Sequence, residues 1–540
     1  MKLNDRVYTD RNLWESRGYY VGSYDRKAMQ EKTKENPCWV HFGAGNIFRA
    51  FHANLAERLL EEKSFDRGLI VVEGFDYEIV EKMYRPHDDL SLLVTLKADG
   101  SVEKRIIGSI AASAILDSNN KTEYDGLKEM FRKPSLQMAT FTITEKGYAV
   151  KDAKRAVLPA AQADFEAGPE RPQSYLGKVT SLLYERYLAG ELPIAMVSTD
   201  NCSHNGDLLR AAILAYASAW IENGKAEKGF YDYLTDPSKV SFPWSMIDKI
   251  TPRPDASVRK MLEDDGVEDT ENVITSKKTY VAPFVNSEES EYLVIEDAFP
   301  NGRPPLEKAG VIFTQRETVD LVERMKVCTC LNPLHTALAV YGCLLGYTKI
   351  SEEMKDPQLL AMVKKIGYDE GFPVVVDPGV ISPKEFLDTV VCRRIPNPFM
   401  PDTPQRIATD TSQKLSVRYG QTIRNYKKQG LSTEKLTMIP LVFAGWFRYL
   451  AAVDDQGKAF ELSPDPAAEH LAEMMQGFHL GKTDRLQLER AVGPVLENES
   501  IFGVNLREAG LYDKVLDDLT ALFTGKGAVR QTLTRMTQTE

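Results

Sequence analysis

The stretch CWVHFGAGNIFRAF, residues 38–51, sets the expected fold of this chain. Its first five residues are mostly apolar and predict a buried strand. The run NIFRAFHANLAERLLEEK, residues 46–63, carries apolar residues at helical spacing. A second apolar strand, LIVVEG, follows at residues 69–74. A strand, a glycine-rich turn, a helix and another strand form a βαβ unit, which is typical of a parallel sheet.

Further along the chain the pattern first continues and then changes. Three more runs predict buried strands: 91–96, 137–144 and 193–198. After NGRPP, residues 301–305, a capping box formed by Thr314 and Glu317 precedes a helical stretch, and helical patterns dominate from there on.

The predicted fold class is therefore α/β plus all-α. The expected parts are a polar N-terminal extension (1–36), an α/β domain with a mostly parallel sheet (37–305) and a helical C-terminal domain (306–540).

Composition excludes several classes of partner. The formal net charge of −11 argues against nucleic-acid binding. The charged start MKLNDRVYTDR has no apolar signal core, so we expect a cytoplasmic protein with reduced cysteines. Residues 327–348 contain no Asp, Glu, Lys or Arg, but Asn332, Pro333 and His335 interrupt them, which favours a core helix over a membrane span. The sequence predicts no oligomeric state and no protein partner.

The turn after the first strand has the form G-x-G. Gly43 permits a tight turn, and Gly45 lets the backbone approach a pyrophosphate at the helix N-terminus. Phe48 stands where the usual fingerprint has a third glycine. An ordinary strand-to-helix turn is the alternative, but the βαβ context favours dinucleotide binding.

An acid after the second strand would hold the ribose hydroxyls of a dinucleotide. Glu73 is placed for this role, and Asp76 is its rival. Either acid would repel a 2′-phosphate, so NAD is favoured over NADP. The alternative for each is a solvated loop carboxylate.

Five stretches together resemble one family. They are GAGNIFRAF (43–51), STDNCSHNG (198–206), FPWSMIDKITP (242–252), the pattern E-x-x-K…N-x-x-H from Glu323 to His335, and PNPFMPDTPQRIATDTSQK (396–414). They are similar to motifs of the mannitol dehydrogenase family, the polyol-specific long-chain dehydrogenases and reductases, which includes the fructuronate and tagaturonate reductases. The resemblance implies a Rossmann-type doubly wound sheet that binds NAD (37–305), followed by a helical C-terminal substrate domain (306–540), which agrees with the division above.

The resemblance implies a set of site residues. The expected cofactor-binding residues are Gly43, Ala44, Gly45, Asn46, Ile47, Phe48, Glu73, Asp76 and Asp200. The resemblance also implies metal-independent chemistry, with Lys326 as general acid/base and Asn201 and Asn332 as oxyanion donors. His335 would orient the substrate, and Asp248 would tune the lysine or bind substrate hydroxyls.

Each of these residues also has a structural interpretation. Lys326 could be a solvated residue at a helix end, Asn201 a turn residue, Asp248 a loop acid and His335 a core histidine. Asn332 followed by Pro333 is a favourable N-cap and N1 pair.

The spacing in the fourth motif departs from the family pattern. The family has four residues between the lysine and the asparagine, whereas VCTCL makes five here. In an unbroken α-helix the added residue would rotate Lys326 by about 100° relative to Asn332. If Asn332 caps a new helix, residues 328–331 form a connection that can absorb the extra residue.

The substrate class depends on additional cations. Arg406, Asp410 and Lys414 follow four-residue spacing, which predicts either a surface salt-bridge ladder or a cationic wall for the substrate. Arg253 and the pair Arg393 and Arg394 are further candidates for binding a carboxylate.

The form of the nucleotide turn is closer to that of the uronate reductases. The resemblance thus implies a fructuronate (D-mannonate) or tagaturonate (D-altronate) oxidoreductase acting with NAD on a small sugar acid. A polyol 2-dehydrogenase of the mannitol or arabinitol type is the first alternative. A non-catalytic NAD-binding regulator is the second, because Phe48, Thr199 and the spacing depart from the family pattern.

Overall fold

The computed structural model of the protein describes residues 1–538. The chain divides into two compact units, the first of residues 1–96 and 101–320, the second of residues 97–100 and 321 onward. The strands are β1 (Tyr19–Tyr20), β2 (Trp39–Phe42), β3 (Leu69–Glu73), β4 (Ser91–Leu96), β5 (Val102–Ile107), β6 (Ile110–Ile115), β7 (Met138–Phe141), β8 (Ile194–Ser198), β9 (Val240–Ser241), β10 (Ser245–Asp248), β11 (Val273–Ile274), β12 (Tyr280–Val281), β13 (Phe284–Glu288), β14 (Tyr292–Glu296) and β15 (Ile312–Thr314).

Helices surround the strands in the first unit and make up most of the second. Those that begin in the first unit are α1 (Arg11–Ser16), α2 (Arg26–Glu35), α3 (Ala53–Glu61), α4 (Lys121–Phe131), α5 (Pro159–Ala167), α6 (Tyr175–Leu188), α7 (Asn205–Glu222), α8 (Gly229–Thr235), α9 (Ala256–Asp264) and α10 (Arg316–Met325). Those of the second unit are α11 (Asn332–Leu345), α12 (Ile350–Glu353), α13 (Pro357–Lys364), α14 (Pro383–Thr389), α15 (Pro404–Ile407), α16 (Thr411–Leu415), α17 (Gln421–Lys428), α18 (Met438–Leu450), α19 (Glu469–Met475), α20 (Arg485–Leu496), α21 (Glu499–Phe502), α22 (Tyr512–Leu522) and α23 (Ala528–Gln538).

Six strands of the first unit form one parallel sheet in the order β6-β3-β2-β7-β8-β9. Counted within the sheet, this is the order 3-2-1-4-5-6 of the doubly wound nucleotide-binding fold. Successive side chains of β2 enter two hydrophobic cores: Val40 and Phe42 belong to one, and Trp39 belongs to the other. The predicted α/β plus all-α class is confirmed.

Two strands of this sheet carry no clear signal in the sequence. β6 reads IAASAI, whose alanines and serine are weak strand formers, and β9 has only two residues. The apolar run 91–96 is a strand, β4, but it lies in a separate sheet of order β1-β5-β4-β13.

The N-terminal segment is built into the first unit. Its strand β1 pairs in parallel with β5. Arg26 of α2 is buried, and its guanidinium donates to the carbonyls of Gly108 and Ile110 at 3.1 and 3.2 Å. Residues 1–36 thus hold the edge of β6 in place.

The long apolar stretch of the second unit lies inside the protein. One helical run, residues 316–345, has the length and hydropathy of a membrane span, and 83% of its most apolar window is buried. Such burial is typical of a core helix, as the interrupted apolar run predicts.

Glu57 of α3 is a buried carboxyl group. One oxygen accepts hydrogen bonds from the amides of Gly108 and Ser109, both at 2.8 Å, and from the Tyr24 hydroxyl at 2.9 Å. The other oxygen has no hydrogen-bond partner among the residues that the structure describes. Burial raises the pKa of Glu57 from 4.5 to about 7, so the neutral acid is the form that the fold prefers.

We expect Glu57→Gln to make the protein relatively more stable as pH rises. Between about 4.5 and about 7 the folded wild type binds more protons than the unfolded chain, so its free energy of unfolding falls with rising pH. The amide does not ionise, so the variant should gain roughly 3 kcal/mol over wild type across this window. Thermal unfolding midpoints of both proteins from pH 5 to pH 9 test this; a constant difference between them would contradict it.

Candidate active site

The turn after β2 makes a close backbone contact with the strand beside it. Gly43 has φ +109°, and a Cβ atom built on it would lie 2.3 Å from the carbonyl oxygen of Thr142, just after β7. Strands β2 and β7 are neighbours at the point where the strand order reverses, which is where open α/β sheets bind their ligands. Only glycine fits this turn without displacing the backbone.

The next residues of the turn leave room for an anionic group. A Cβ atom built on Gly45 would meet no atom within 4 Å. The helix begins at Asn46, whose side-chain oxygen accepts from Arg49 at 2.9 Å. Free backbone approach at Gly45 and the first amides of a helix fit the pyrophosphate of a dinucleotide.

The two residues after Asn46 differ in what they can offer. Ile47 is half-buried. Phe48 is fully buried, and its ring stacks on that of His41 with centroids 4.5 Å apart. The Phe48 side chain therefore packs in the core, and only its backbone is available to a nucleotide. In the usual fingerprint a third glycine at this position lets the helix pack closely against the strand, whereas here the Phe48 ring fills the space between them.

Glu73 lies at the turn, as its position at the end of β3 predicts. Its carboxylate accepts from the amides of Ala44 at 2.8 Å, Phe75 at 2.8 Å and Asp76 at 3.1 Å. Burial raises the pKa of Glu73, and these amide bonds oppose that rise. Glu73 thus links the turn after β2 to the turn after β3.

Asp76 has a different environment. It is 2% exposed, and one carboxylate oxygen accepts from the Thr275 hydroxyl at 2.6 Å. The carboxylate of Glu73 contacts the G-x-G turn directly and that of Asp76 does not, so Glu73 is the better-placed acid of the two.

Asp200 also holds backbone in place. It accepts from the amides of Ile143 and Thr144, both at 2.9 Å, and from the Tyr148 hydroxyl at 2.5 Å. Burial raises the pKa of Asp200. The loop after β8 is thereby fixed to the loop after β7.

Asn201, an expected oxyanion donor, is exposed in this fixed loop. Asp200 precedes Asn201 in the chain, and the buried Asn205 follows it. The side-chain amide of Asn205 donates hydrogen bonds to the carbonyl of Asp200 and to the carbonyl and hydroxyl of Ser245 in β10, with donor-acceptor distances near 3.0 Å. Asp248 is the buried last residue of that same strand. The two motif regions that carry Asn201 and Asp248 are therefore joined through Ser245.

Arg253 does not lie in this network. It is exposed, and its guanidinium stacks over the Tyr280 ring at 4.2 Å from the centroid. Within the first unit it is a surface residue with an aromatic contact.

In the second unit, Lys326 is the first residue of a π-helical turn, Lys326–Cys330. The amide of Leu331 donates to the carbonyl of Lys326, five residues earlier, at 3.1 Å. A turn closed in this way holds one residue more than an α-helical turn. The residue that VCTCL adds is thus taken up inside a continuous helical run, and Lys326 is buried with 5% exposure.

α11 begins at Asn332 with Pro333 in its first turn, as this pair predicts, but Leu331 and not Asn332 occupies the cap position, and among the described residues no side-chain hydrogen bond caps the helix. Residues 328–330 belong to the π-helical turn, so the predicted connection is reduced to Leu331, which has φ −125° and ψ −60°. Among residues 1–538 the Asn332 side chain has no hydrogen-bond partner, which leaves its amide available to a ligand.

His335 lies one turn after Asn332, on the same face of α11. Burial lowers the pKa of His335 to about 4, so the ring is neutral at neutral pH. The charged groups with the largest effect on this pKa are the carboxylate of Asp402, which raises it, and three guanidiniums, which lower it: those of Arg394, Arg418 and Arg406.

Arg406 and Lys414 do not share one helix face. Asp410 adopts a left-handed conformation with φ +51°, so the stretch from Arg406 to Lys414 is broken into α15 and α16. Arg406 forms an ion pair with Asp402 instead of a ladder with Asp410. Lys414 donates to the carbonyls of Ile407 and Thr409 at the end of α15, and burial lowers its pKa.

Arg418 contacts the helix segment that carries Asn332, and no sequence motif marks it. Its guanidinium donates to the carbonyl of Asn332 at 3.4 Å and to the hydroxyl of Thr336. In the sequence, only its position four residues after Lys414 points to Arg418. Charged residues on solvent-exposed helix faces commonly have the same spacing, so this does not indicate a binding residue.

A doubly wound parallel sheet with a glycine turn at its switch point defines a Rossmann-type dinucleotide-binding protein. Within residues 1–538 no cluster of three or more His, Cys, Asp or Glu side chains is arranged to hold a metal ion.

The chain belongs to the mannitol dehydrogenase family. Residues 38–308 match the mannitol dehydrogenase Rossmann domain, and residues 318–523 match the mannitol dehydrogenase C-terminal domain.

Three similar proteins cover nearly all of the chain. A D-mannonate oxidoreductase of Thermotoga maritima is 49% identical over 99% of this chain and 98% of its own length. The structure of D-sorbitol dehydrogenase in substrate-free form matches with a TM-score of 0.77 and 25% identity, covering 94% of this chain and 97% of that one. The Pseudomonas fluorescens mannitol 2-dehydrogenase ternary complex with NAD and D-mannitol matches with a TM-score of 0.67 and 27% identity, covering all of both chains.

The two glycines of the turn should respond differently to a methyl group. Gly45→Ala should leave the unfolding midpoint nearly unchanged, because its Cβ meets no protein atom. It should raise the Kd for NADH about tenfold or more, because the backbone must approach the pyrophosphate there.

Gly43→Ala is the matched variant for stability. We expect it to cost roughly 1–3 kcal/mol, because its Cβ collides with the Thr142 carbonyl and its φ is positive. Calorimetry and fluorescence titration with NADH measure both effects. An unchanged Kd in Gly45→Ala would show that the turn does not carry the nucleotide.

Proposed function

We propose that this chain is a D-mannonate oxidoreductase, which interconverts a secondary alcohol of a sugar acid and the corresponding ketone with NAD. The observation that carries the proposal is the 49% identity, over 99% of the chain, to a protein of that activity. Its substrate would be a small sugar acid in the cytoplasm, with no nucleic acid and no membrane as partner. The net charge of −11 and the burial of the long apolar helix support that part of the proposal.

The residues of the G-x-G turn fit the cofactor. Gly45 with its open surroundings, the helix that begins at Asn46, and Glu73 beside Ala44 would bind the nucleotide. Bound NAD would accept the hydride that leaves the alcohol carbon.

Lys326 is the proposed general acid/base. The alcohol must lose its hydroxyl proton as the hydride leaves, and an amine held in a buried position can take it. The π-helical turn fixes the backbone position of Lys326, because the Lys326 carbonyl accepts a hydrogen bond from the Leu331 amide.

Neutral donors would stabilise the oxygen as it gains negative charge. Asn332 has an amide without a protein partner among the described residues, and Asn201 stands in a loop anchored on both sides. Amides donate without titrating, so their effect does not depend on pH. His335, neutral because of its burial, would orient a substrate hydroxyl, and Asp248 would act on the lysine or on further hydroxyls.

A polyol 2-dehydrogenase is the second candidate. The matching mannitol 2-dehydrogenase structure, complexed with NAD and D-mannitol, favours it. The two candidates differ in whether the substrate carries a carboxylate.

A substrate panel separates these functions. NADH formation should be measured with D-mannonate, D-altronate and D-mannitol, each with NAD and with NADP. We expect D-mannonate with NAD to give the highest kcat/KM. A higher value with D-altronate or D-mannitol would refute the assignment, and NADH binding without turnover on any of them would favour a regulator.

We expect Lys326→Ala to lower kcat roughly 100- to 10,000-fold while NADH binding persists, because the proton acceptor is removed and the nucleotide turn is untouched. Lys326→Arg should be equally inactive, since a guanidinium does not release its proton in a protein. Steady-state kinetics and NADH titration check both variants.

Lys365→Ala is the matched control. Lys365 also opens a π-helical turn of the second unit, Lys365–Gly371, and its ammonium donates to the carbonyl of Met536 at 3.0 Å. It should retain near-normal turnover. Comparable activity in the Lys326 and Lys365 variants would exclude Lys326 as the base.

A further inference from the structure

We propose that Arg418 binds the carboxylate of the substrate and makes the enzyme select a sugar acid over a polyol. This role rests on the proposed D-mannonate activity. The inference comes from the position of the guanidinium, from its lack of a counter-ion and from the charges around it.

The guanidinium is anchored on one side to α11. One nitrogen, Nη1, donates to the Asn332 carbonyl and to the Thr336 hydroxyl. These two residues lie on consecutive turns of α11, and Asn332 is the proposed oxyanion donor. Arg418 is therefore held beside the segment of helix that would contact the substrate.

The segment that carries Arg418 also contacts the segment of the proposed base. Arg418 lies in the π-helical turn Ser416–Gly420, which packs against the π-helical turn Lys326–Cys330. The Thr422 hydroxyl, just beyond the first turn, donates to the carbonyl of Cys328 at 3.3 Å. The two turns form one packed unit, so the distance from Arg418 to Lys326 is set by the protein and not by a mobile loop.

The charge of Arg418 has no counter-ion in the part of the chain that the structure describes. Among residues 1–538 no carboxylate forms an ion pair with it, and its Nε and Nη2 atoms make no hydrogen bond. Burial lowers the pKa of Arg418 to about 10, which reflects the cost of a cation with little water and no counter-ion. A carboxylate that binds the free edge with two parallel hydrogen bonds would offset this cost.

The neighbouring cations increase the preference for an anion. Arg418 and Arg406 both lower the pKa of Lys414, and together with Arg394 they lower that of His335. Arg406 is neutralised by Asp402, and Lys414 is engaged by backbone carbonyls at the end of α15. Arg418 remains as the guanidinium with a free edge.

The test compares D-mannonate with D-mannonamide, which has the same shape without the charge. Arg418→Gln should lower kcat/KM for D-mannonate roughly 10- to 100-fold, mainly through KM, because a charge-assisted pair is lost. The value for D-mannonamide should change little. Arg418→Lys keeps the positive charge but cannot form two parallel hydrogen bonds to a carboxylate, so it should lose an intermediate part of the kcat/KM for D-mannonate. This variant also tests the proposal if Arg418→Gln does not fold.

Arg424→Gln is the matched control. Arg424 is half-buried in α17 and donates to backbone carbonyls, including that of Gly503. This variant should keep the wild-type preference for D-mannonate over D-mannonamide.

Each outcome decides the proposal. An equal loss with both substrates in Arg418→Gln would mean that Arg418 only supports α11, and an equal loss of preference in Arg424→Gln would mean that the effect is not specific. Either result would overturn the role of Arg418 and leave the D-mannonate activity of the wild type standing. A wild type that oxidises D-mannitol but not D-mannonate would refute the proposed function, and the role of Arg418 with it.

Discussion

Two carboxylates at the carboxyl edge of the parallel sheet, that of the buried Glu73 and that of the half-buried Asp200, organise the first unit. Glu73 accepts three backbone amides from the turns after β2 and β3, and Asp200 accepts two from the loop after β7. A buried carboxylate is costly unless hydrogen bonds satisfy it. Because loop amides supply those bonds, the carboxylates and the loops fix one another, and the G-x-G turn and the loop of Asn201 acquire defined positions.

Much of this unit could be predicted from residue patterns alone. Apolar strands, helical spacing and the G-x-G turn predict the doubly wound sheet, because buried parallel strands and the helices on both of their faces leave regular periodicities. Strand β6 was not predicted, because its alanines have little preference for the strand conformation. The position of Glu73 was predictable, but its bonds to Ala44 were not, since they depend on two turns that meet only in the folded sheet.

The helical unit was harder to predict, for a physical reason. Asn332 followed by Pro333 begins α11 as the local rule predicts, yet the turn before it is closed by an i→i+5 bond from the Leu331 amide to the Lys326 carbonyl, which no local rule predicts. Asp410 interrupts a run whose spacing is helical throughout. The charged groups that act on His335 all lie between residues 394 and 418, far along the chain from His335 itself, so the sequence does not show that Arg418 belongs to this cluster.

The wide turn at Lys326 has a consequence for how such enzymes diverge. A residue gained within an α-helix ordinarily swings everything beyond it around the axis. Here the additional residue is accommodated in a single π-helical turn, so the helical residues on each side of the turn keep their packing. In an alignment the same event is a gap in the middle of a core helix, where insertions are seldom tolerated. Counting residues between motif positions can therefore mislead, and the ladder of backbone hydrogen bonds is the better measure of whether two active-site groups keep their relationship.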